Sequence, residues 1–270
     1  MFVNSLLPHT PFRWVACIAV GLLWGMGGRV EAVELSGESS RLVANQAVLE
    51  AIKSMPVGGR YAANAAASAA LCKAIGKTPM GLEIDAGVAK PSYCSGATYL
   101  VFVTALDQLS KSRGKPISSG TAGALLVRGQ KDGAGVWGRW NANGPGTARL
   151  FSELKLGSNF TDFEKAQPGD FLKIFWTEEI GRSERGHSVV YLGRRTEGGI
   201  EEVHFWSSNQ PAGFGDKWVR KTAIARALFS RLENPERIEQ VENLPAVDGY
   251  LAGLLSKAST WEDVRSRCGF

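Results

Sequence analysis

In residues 42–56, LVANQAVLEAIKSMP, apolar positions recur at the spacing of one helix face; Ser39 and Ser40 precede them and Pro56 stops them, so the pattern predicts a helix. The alanine-rich YAANAAASAALCKAIG, residues 61–76, predicts a second helix ended by Gly76, its small residues suited to close packing. From Cys94 to about Lys111 the spacing is again helical. This third stretch is so apolar that most of its circumference must be buried.

Past Pro168 the period changes. DFLKIFWT, HSVVYLG and IEEVHFWS are short runs of β-branched and aromatic residues separated by glycine and charged turns, and they predict antiparallel strands; KWVRKTAI is a candidate fourth. From about Ala223 the tail reads as helix again, broken at Pro235 and Pro245. Between the long helix and the strands, residues 114–160 are Gly-rich with interspersed aromatics; runs at 121–127 and 147–155 predict two short helices within an ordered insertion. Helices, then a compact sheet, then helices define the α+β class.

The chain has 270 residues, 44% of them hydrophobic, enough for a substantial core. The first residues are set aside from it. PFRWVACIAVGLLWGMGGRVEA combines Arg13, an apolar stretch from Trp14 to Met26 and the small-x-small triplet Val30-Glu31-Ala32, which is the pattern of a secretory signal peptide over residues 1–32. The expected organisation is therefore one domain over residues 33–270. It has an N-terminal helical segment at 33–80, the insertion at 114–160 and a C-terminal helical extension at 223–270. The expected location is secreted or periplasmic, with no stable membrane insertion after cleavage, since the apolar stretch is shorter than the roughly 20 residues a spanning helix needs. Losing two arginines and one glutamate with the leader takes the formal charge from +5 to +4. This mild excess is scattered and forms no basic stripe, so no nucleic-acid partner is expected.

Three cysteines remain, Cys72, Cys94 and Cys268. An odd number in an oxidising compartment leaves one thiol over, and Cys72 and Cys268 are free to pair if Cys94 is the reactive one. Cys94 opens the apolar helix, where orphan N–H groups favour a thiolate and could bind an oxyanion. Of three histidines His9 leaves with the leader, so His187, at the mouth of one strand, and His204, inside the next, are the candidate bases. No metal-ligand spacing and no phosphate-binding glycine loop accompany them, and no cofactor is expected.

YCSGATYLVF, AQPGDFLKIFW and GHSVVYLG, in this order, resemble the NlpC-type cysteine peptidases, a papain-like group that cleaves peptide bonds in bacterial cell walls. The resemblance implies a papain-like fold with Cys94 as nucleophile, followed by Ser95 and Gly96, a turn at Pro168, Gly169 and Asp170, and His187 as base. The three blocks cover 29 residues within positions 93–193. The family's aspartate before the cysteine is Tyr93 here, and the Cys94-to-His187 spacing is longer than usual, as an insertion beside the cleft would make it. In the family the third member of the site is His, Asn or Gln on the strand after the base. His204 fits by residue type; hairpin geometry, with a turn centred on Glu197 and Gly198, puts position 208 opposite His187 and brings Asn209 into range. Ser208 remains beside them. Tyr93, Ser95, Trp140 and Asn141 are candidate substrate contacts, although tryptophans spaced as Trp137 and Trp140 are more often plain core or loop packing. Asp170 is expected to bond its own turn. The implied activity is a secreted cysteine hydrolase, a peptidase or amidase acting on an amide bond in peptidoglycan peptides. An amidase or acyltransferase for another acyl substrate and a non-catalytic envelope-binding protein are the alternatives.

Overall fold

The computed structural model describes residues 43–270. The expected signal peptide and the capping serines Ser39 and Ser40 lie outside the described residues. A helix whose described part covers residues 43–53 (α1) leads to a short strand β1 (Gly58–Gly59), helix α2 (Ala65–Ala74) and the hairpin β2 (Ile75–Thr78) and β3 (Gly81–Ile84). Helix α3 (Cys94–Ser112) follows, then α4 (Ser119–Leu125), α5 (Gly135–Asn141), α6 (Gly146–Leu154) and strand β4 (Gly157–Phe160). Strands β5 (Phe171–Phe175), β6 (Ile180–Gly181), β7 (Gly186–Glu197), β8 (Ile200–Asn209), β9 (Gly213–Arg220) and β10 (Arg226–Leu232) make up the second half. A 3-10 turn at Pro235–Asn243, helix α7 (Gly249–Gly253), strand β11 (Ala258–Ser259) and helix α8 (Trp261–Cys268) close the chain.

Seven strands form one antiparallel sheet in the order β1-β9-β8-β7-β5-β10-β4, confirming the α+β class. Strand alternation gives the sheet two apolar faces. Phe171, Val190, Trp206 and Phe214 pack on the α3 side. Leu172, Ile174, Val189, Tyr191, Val203, Phe205 and Phe229 face the other way, beneath Phe160 and Phe163. Helix α3 is buried from Ser95 to Leu109 except at Gln108, as its composition requires. Phe102 at its middle stacks on Trp140 at 4.6 Å and meets Phe171 edge-on at 5.9 Å. Each such side chain contributes about 1.5–3 kcal/mol by leaving water, so the helix bearing Cys94 is anchored along nearly its whole length.

Three sequence expectations change. The expected C-terminal helical extension opens with a strand, since β10 pairs with both β5 and β4. Leu228 and Phe229 are buried on opposite faces of it, and a strand covered on both sides loses the alternation that identifies strands. The second helix ends at Ala74, and Gly76 lies inside the β2–β3 hairpin that the expected helical segment did not contain. The insertion holds α5 between the two expected helices, where glycines and tryptophans read as turns. The Cys72–Cys268 disulfide is also corrected, because both are free thiols. Cys72 packs against the α3-side core, whereas Cys268, the last residue of α8, is buried with Phe175 and Leu228. Burial pushes the Cys268 thiol up to about 12. Among the described residues no helix is long and apolar enough to cross a membrane.

Candidate active site

Cys94 is the first residue of α3. Tyr93, in extended conformation, is the N-cap and provides no side-chain cap for the first-turn N–H groups. The segment before it is tied to the sheet by serines. Ser92 Oγ donates to Ser208 Oγ at 2.8 Å, and Ser208 Oγ donates to the Ser92 carbonyl at 3.0 Å. Ser208, buried in this pair, therefore fixes the loop that aims Cys94 and does not reach His187. It immediately precedes Asn209, so the thiol and the end of β8 share one hydrogen-bonded frame.

His187 pairs with Ile174 across β5 and β7, near the open end of the sheet. Its ring lies between Trp176, stacked at 6.2 Å, and Phe205, edge-on at 5.7 Å. His187 Nε2 donates to Asn209 Oδ1 over 3.0 Å. The amide orientation follows from Asn209 Nδ2, which donates to the Gly215 carbonyl at 2.8 Å. With Nε2 engaged, Nδ1 is the nitrogen left for the hydrogen bond between His187 and Cys94. Burial opposes ionisation of Cys94. The His187 hydrogen bond and charge, the Ser188 N–H and the ammonium of Lys173 outweigh it and bring the thiol from 9.0 down to about 7.

The third position falls to Asn209 through strand register. The β7–β8 turn is Gly198-Gly199, both at positive φ, with Glu197 pairing Ile200. A bulge between Tyr191 and Gly193 shifts the pairing once more, and continuing the register from Val190 opposite Trp206 puts Asn209 opposite His187. His204 is corrected as a site candidate. It pairs with Gly193, six residues up the strand from His187, stacks on Trp218 at 4.2 Å and bonds Asp216 at 2.7 Å.

Sequence reading missed Tyr61. Its hydroxyl hydrogen-bonds Cys94, and burial together with that thiol raises the phenol to about 12. Long-range backbone contacts hold it: Tyr61 N–H donates to the Pro211 carbonyl at 3.0 Å, and Tyr61 bridges Ser92. Arg60 before it sits at φ 64°. The sequence places Tyr61 at the start of the second predicted helix, but α2 begins at Ala65, and Gly58 and Gly59 just before it are the sequence signal of the extended segment that holds Tyr61.

Around Cys94 a cavity of about 410 Å³ is lined by Tyr61, Tyr93, Ser95, Asp132, Asn141 and Lys173, among others. Tyr93 thus faces the site. Ser95 Oγ donates to Asn141 Oδ1 at 2.7 Å, which joins the α3 start to the insertion. Trp140 is corrected as a substrate contact: it is 2% exposed, and its indole N–H donates to the Ser95 carbonyl at 3.1 Å. It supports the helix start from within the core. Among the described residues no cluster of three His, Cys, Asp or Glu side chains is placed to hold a metal ion. What the arrangement can do is form a thiolate near neutrality, move a proton through an oriented imidazole and donate hydrogen bonds beside the sulfur.

No family model, curated protein or solved structure matches the chain.

Proposed function

We propose that the protein is a papain-like cysteine hydrolase that cleaves an amide bond, with the peptide part of peptidoglycan as substrate. The observation that carries the reading is the chain Cys94, His187, Asn209: a thiol lowered to about 7 at a helix start, bonded to an imidazole whose far nitrogen is fixed at 3.0 Å. The sequence resemblance to cell-wall peptidases supplies the substrate class.

In the proposed reaction the Cys94 thiolate attacks the carbonyl carbon and forms a C–S bond. The resulting oxyanion takes hydrogen bonds from the Tyr61 hydroxyl and the first-turn N–H groups at the α3 start. Collapse breaks the C–N bond as His187 gives its proton to the departing amine. Water, losing a proton to His187, then attacks the thioester, and carboxylate product and thiolate are restored.

Incubation of purified sacculi with the protein tests this. New amino and carboxyl groups should appear in equal amounts, and Cys94→Ala should abolish both. Intact sacculi after prolonged incubation, with a reactive Cys94, would remove peptidoglycan from the proposal. An unreactive Cys94 would remove the hydrolase itself.

A further inference from the structure

Asp132 lines the cavity around Cys94 from the insertion, which the family resemblance does not cover. Its loop is rigidly held. The fully buried Arg139 donates to the Gly133 and Gly135 carbonyls, both at 3.0 Å, and the Asp248 N–H donates to the Gly133 carbonyl at 2.9 Å. Gly133 is required there, because at φ 81° any Cβ would come 2.5 Å from the Asp248 carbonyl oxygen.

The carboxylate so presented forms no ion pair among the described residues. Asp132 Oδ2 accepts the Asn143 N–H at 3.3 Å, and the Asn141 side chain bonds it as well. The nearby ammonium, Lys173, is bound to Glu184 Oε1 at 2.6 Å. Glu184 in turn accepts the Gly144 and Gly181 N–H groups at 2.6 and 3.2 Å, so this pair is complete without Asp132. Burial pushes the Asp132 carboxyl up, and the Asn143 N–H, the charge of Lys173 and the Asn141 side chain offset this only in part, so a cation bound there would favour the carboxylate form.

A second hollow of about 430 Å³ adjoins the first at Tyr61, Glu184 and Gly186 and has the opposite character. Trp176 and His187 line it, with Arg185, Gln210 and Lys217. Arg185 and Lys217 are exposed and make no ion pair among the described residues. His187 hands its proton to the leaving amine, so the hollow it lines receives the amine part of the substrate and the hollow around Cys94 the acyl part.

We propose that the cleft selects a zwitterionic amide: an acyl part carrying an ammonium group that Asp132 binds, joined to an amine carrying a carboxylate that Arg185 and Lys217 bind. The assignment of the two sides rests on the hydrolase mechanism above. The placement of charge of opposite sign in two adjoining hollows, one around Cys94 and one lined by His187, rests on the geometry alone.

Charged thiol reagents read this without any substrate. Methanethiosulfonates bearing an aminoethyl cation, a methyl group or a sulfonatoethyl anion each form a mixed disulfide at Cys94 and release methanesulfinate, and peptide mass spectrometry gives the rates. Asp132→Asn should lower the cation-to-methyl rate ratio about fivefold and leave the anion-to-methyl ratio unchanged. Arg185→Met with Lys217→Met should lower the anion-to-methyl ratio about fivefold and leave the other unchanged. Shifts below twofold, or both ratios moving in both variants, would overturn the proposal. Failure of the hydrolase reading shows separately, as a methyl-reagent rate at pH 6 equal to that of free cysteine and insensitive to His187→Ala.

Discussion

His187 Nε2 and Asn209 Oδ1, 3.0 Å apart, are brought together by a bulge and a two-glycine turn in one hairpin. The bond fixes the imidazole so that Nδ1 faces Cys94, and the carbonyl oxygen of Asn209 is the acceptor that holds it. Asn209→Ala should therefore lower kcat/KM roughly 100-fold through kcat, with KM and thermal midpoint little changed. A loss below threefold would show that Trp176 and Phe205 orient the ring by themselves.

His204→Ala makes the opposite prediction. His204 bonds an Asp216 that is 62% exposed and stacks on Trp218 at the surface, an arrangement worth about 1 kcal/mol at most. Activity should stay within about twofold of the unaltered protein. A loss comparable to that of Asn209→Ala would return His204 to the site.

Alkylation of Cys94 by iodoacetamide should follow the thiolate. The thiolate is the deprotonated form, so its fraction rises with pH, and lowering the thiol from 9.0 to about 7 moves the midpoint of the rate profile down by the same interval. At pH 7 about half of Cys94 is ionised, against roughly 1% of a thiol at 9. Mass-resolved rates from pH 5 to 10 test this. His187→Ala should carry the midpoint back to 9 or above, because the burial that opposes the charge remains.

Tyr61 hydrogen-bonds the reacting sulfur and belongs to both hollows of the cleft. In the proposed reaction Tyr61 is an oxyanion donor and acts on the transition state, so Tyr61→Phe should reduce kcat about 10- to 100-fold while KM stays within about threefold. The ring and its packing are kept, so the fold should not respond. A change confined to KM would make Tyr61 a substrate contact.

Which parts of the site were legible follows from what holds them. Cys94 at a helix start and His187 at a strand mouth depend on local pattern, so sequence order and residue type were enough to single them out. Choosing between His204 and Asn209 needed the hairpin register, which depends on a turn one residue further along and on a bulge at Leu192; neither leaves a mark in the run of apolar residues. Tyr61 depends on backbone pairing with Ser92 and Pro211, contacts that span 31 and 150 residues of chain. No periodicity encodes such a contact. Strand β10 was hidden by the opposite excess, being apolar on both faces.

Asp170 separates support of the site from action in it. It is fully buried and accepts Arg231 Nε at 2.8 Å and Nη2 at 2.7 Å, Asn45 Nδ2 at 3.0 Å and the Gln167 N–H of its own turn at 2.8 Å. The turn bond was expected from sequence; Arg231 on β10 and Asn45 on α1 were not. The same turn pairs with β7, since Gly169 N–H donates to the Tyr191 carbonyl at 2.9 Å and Tyr191 N–H to the Asp170 carbonyl at 2.8 Å. Removing the carboxylate leaves a mostly buried guanidinium uncompensated, which costs about 3–5 kcal/mol. Asp170→Ala should accordingly lower the urea midpoint strongly, while the folded fraction keeps a Cys94 alkylation midpoint near 7. A midpoint displaced by a full pH step in a protein of unchanged stability would mean instead that Asp170 acts on the thiol, and that the turn belongs to the chemistry.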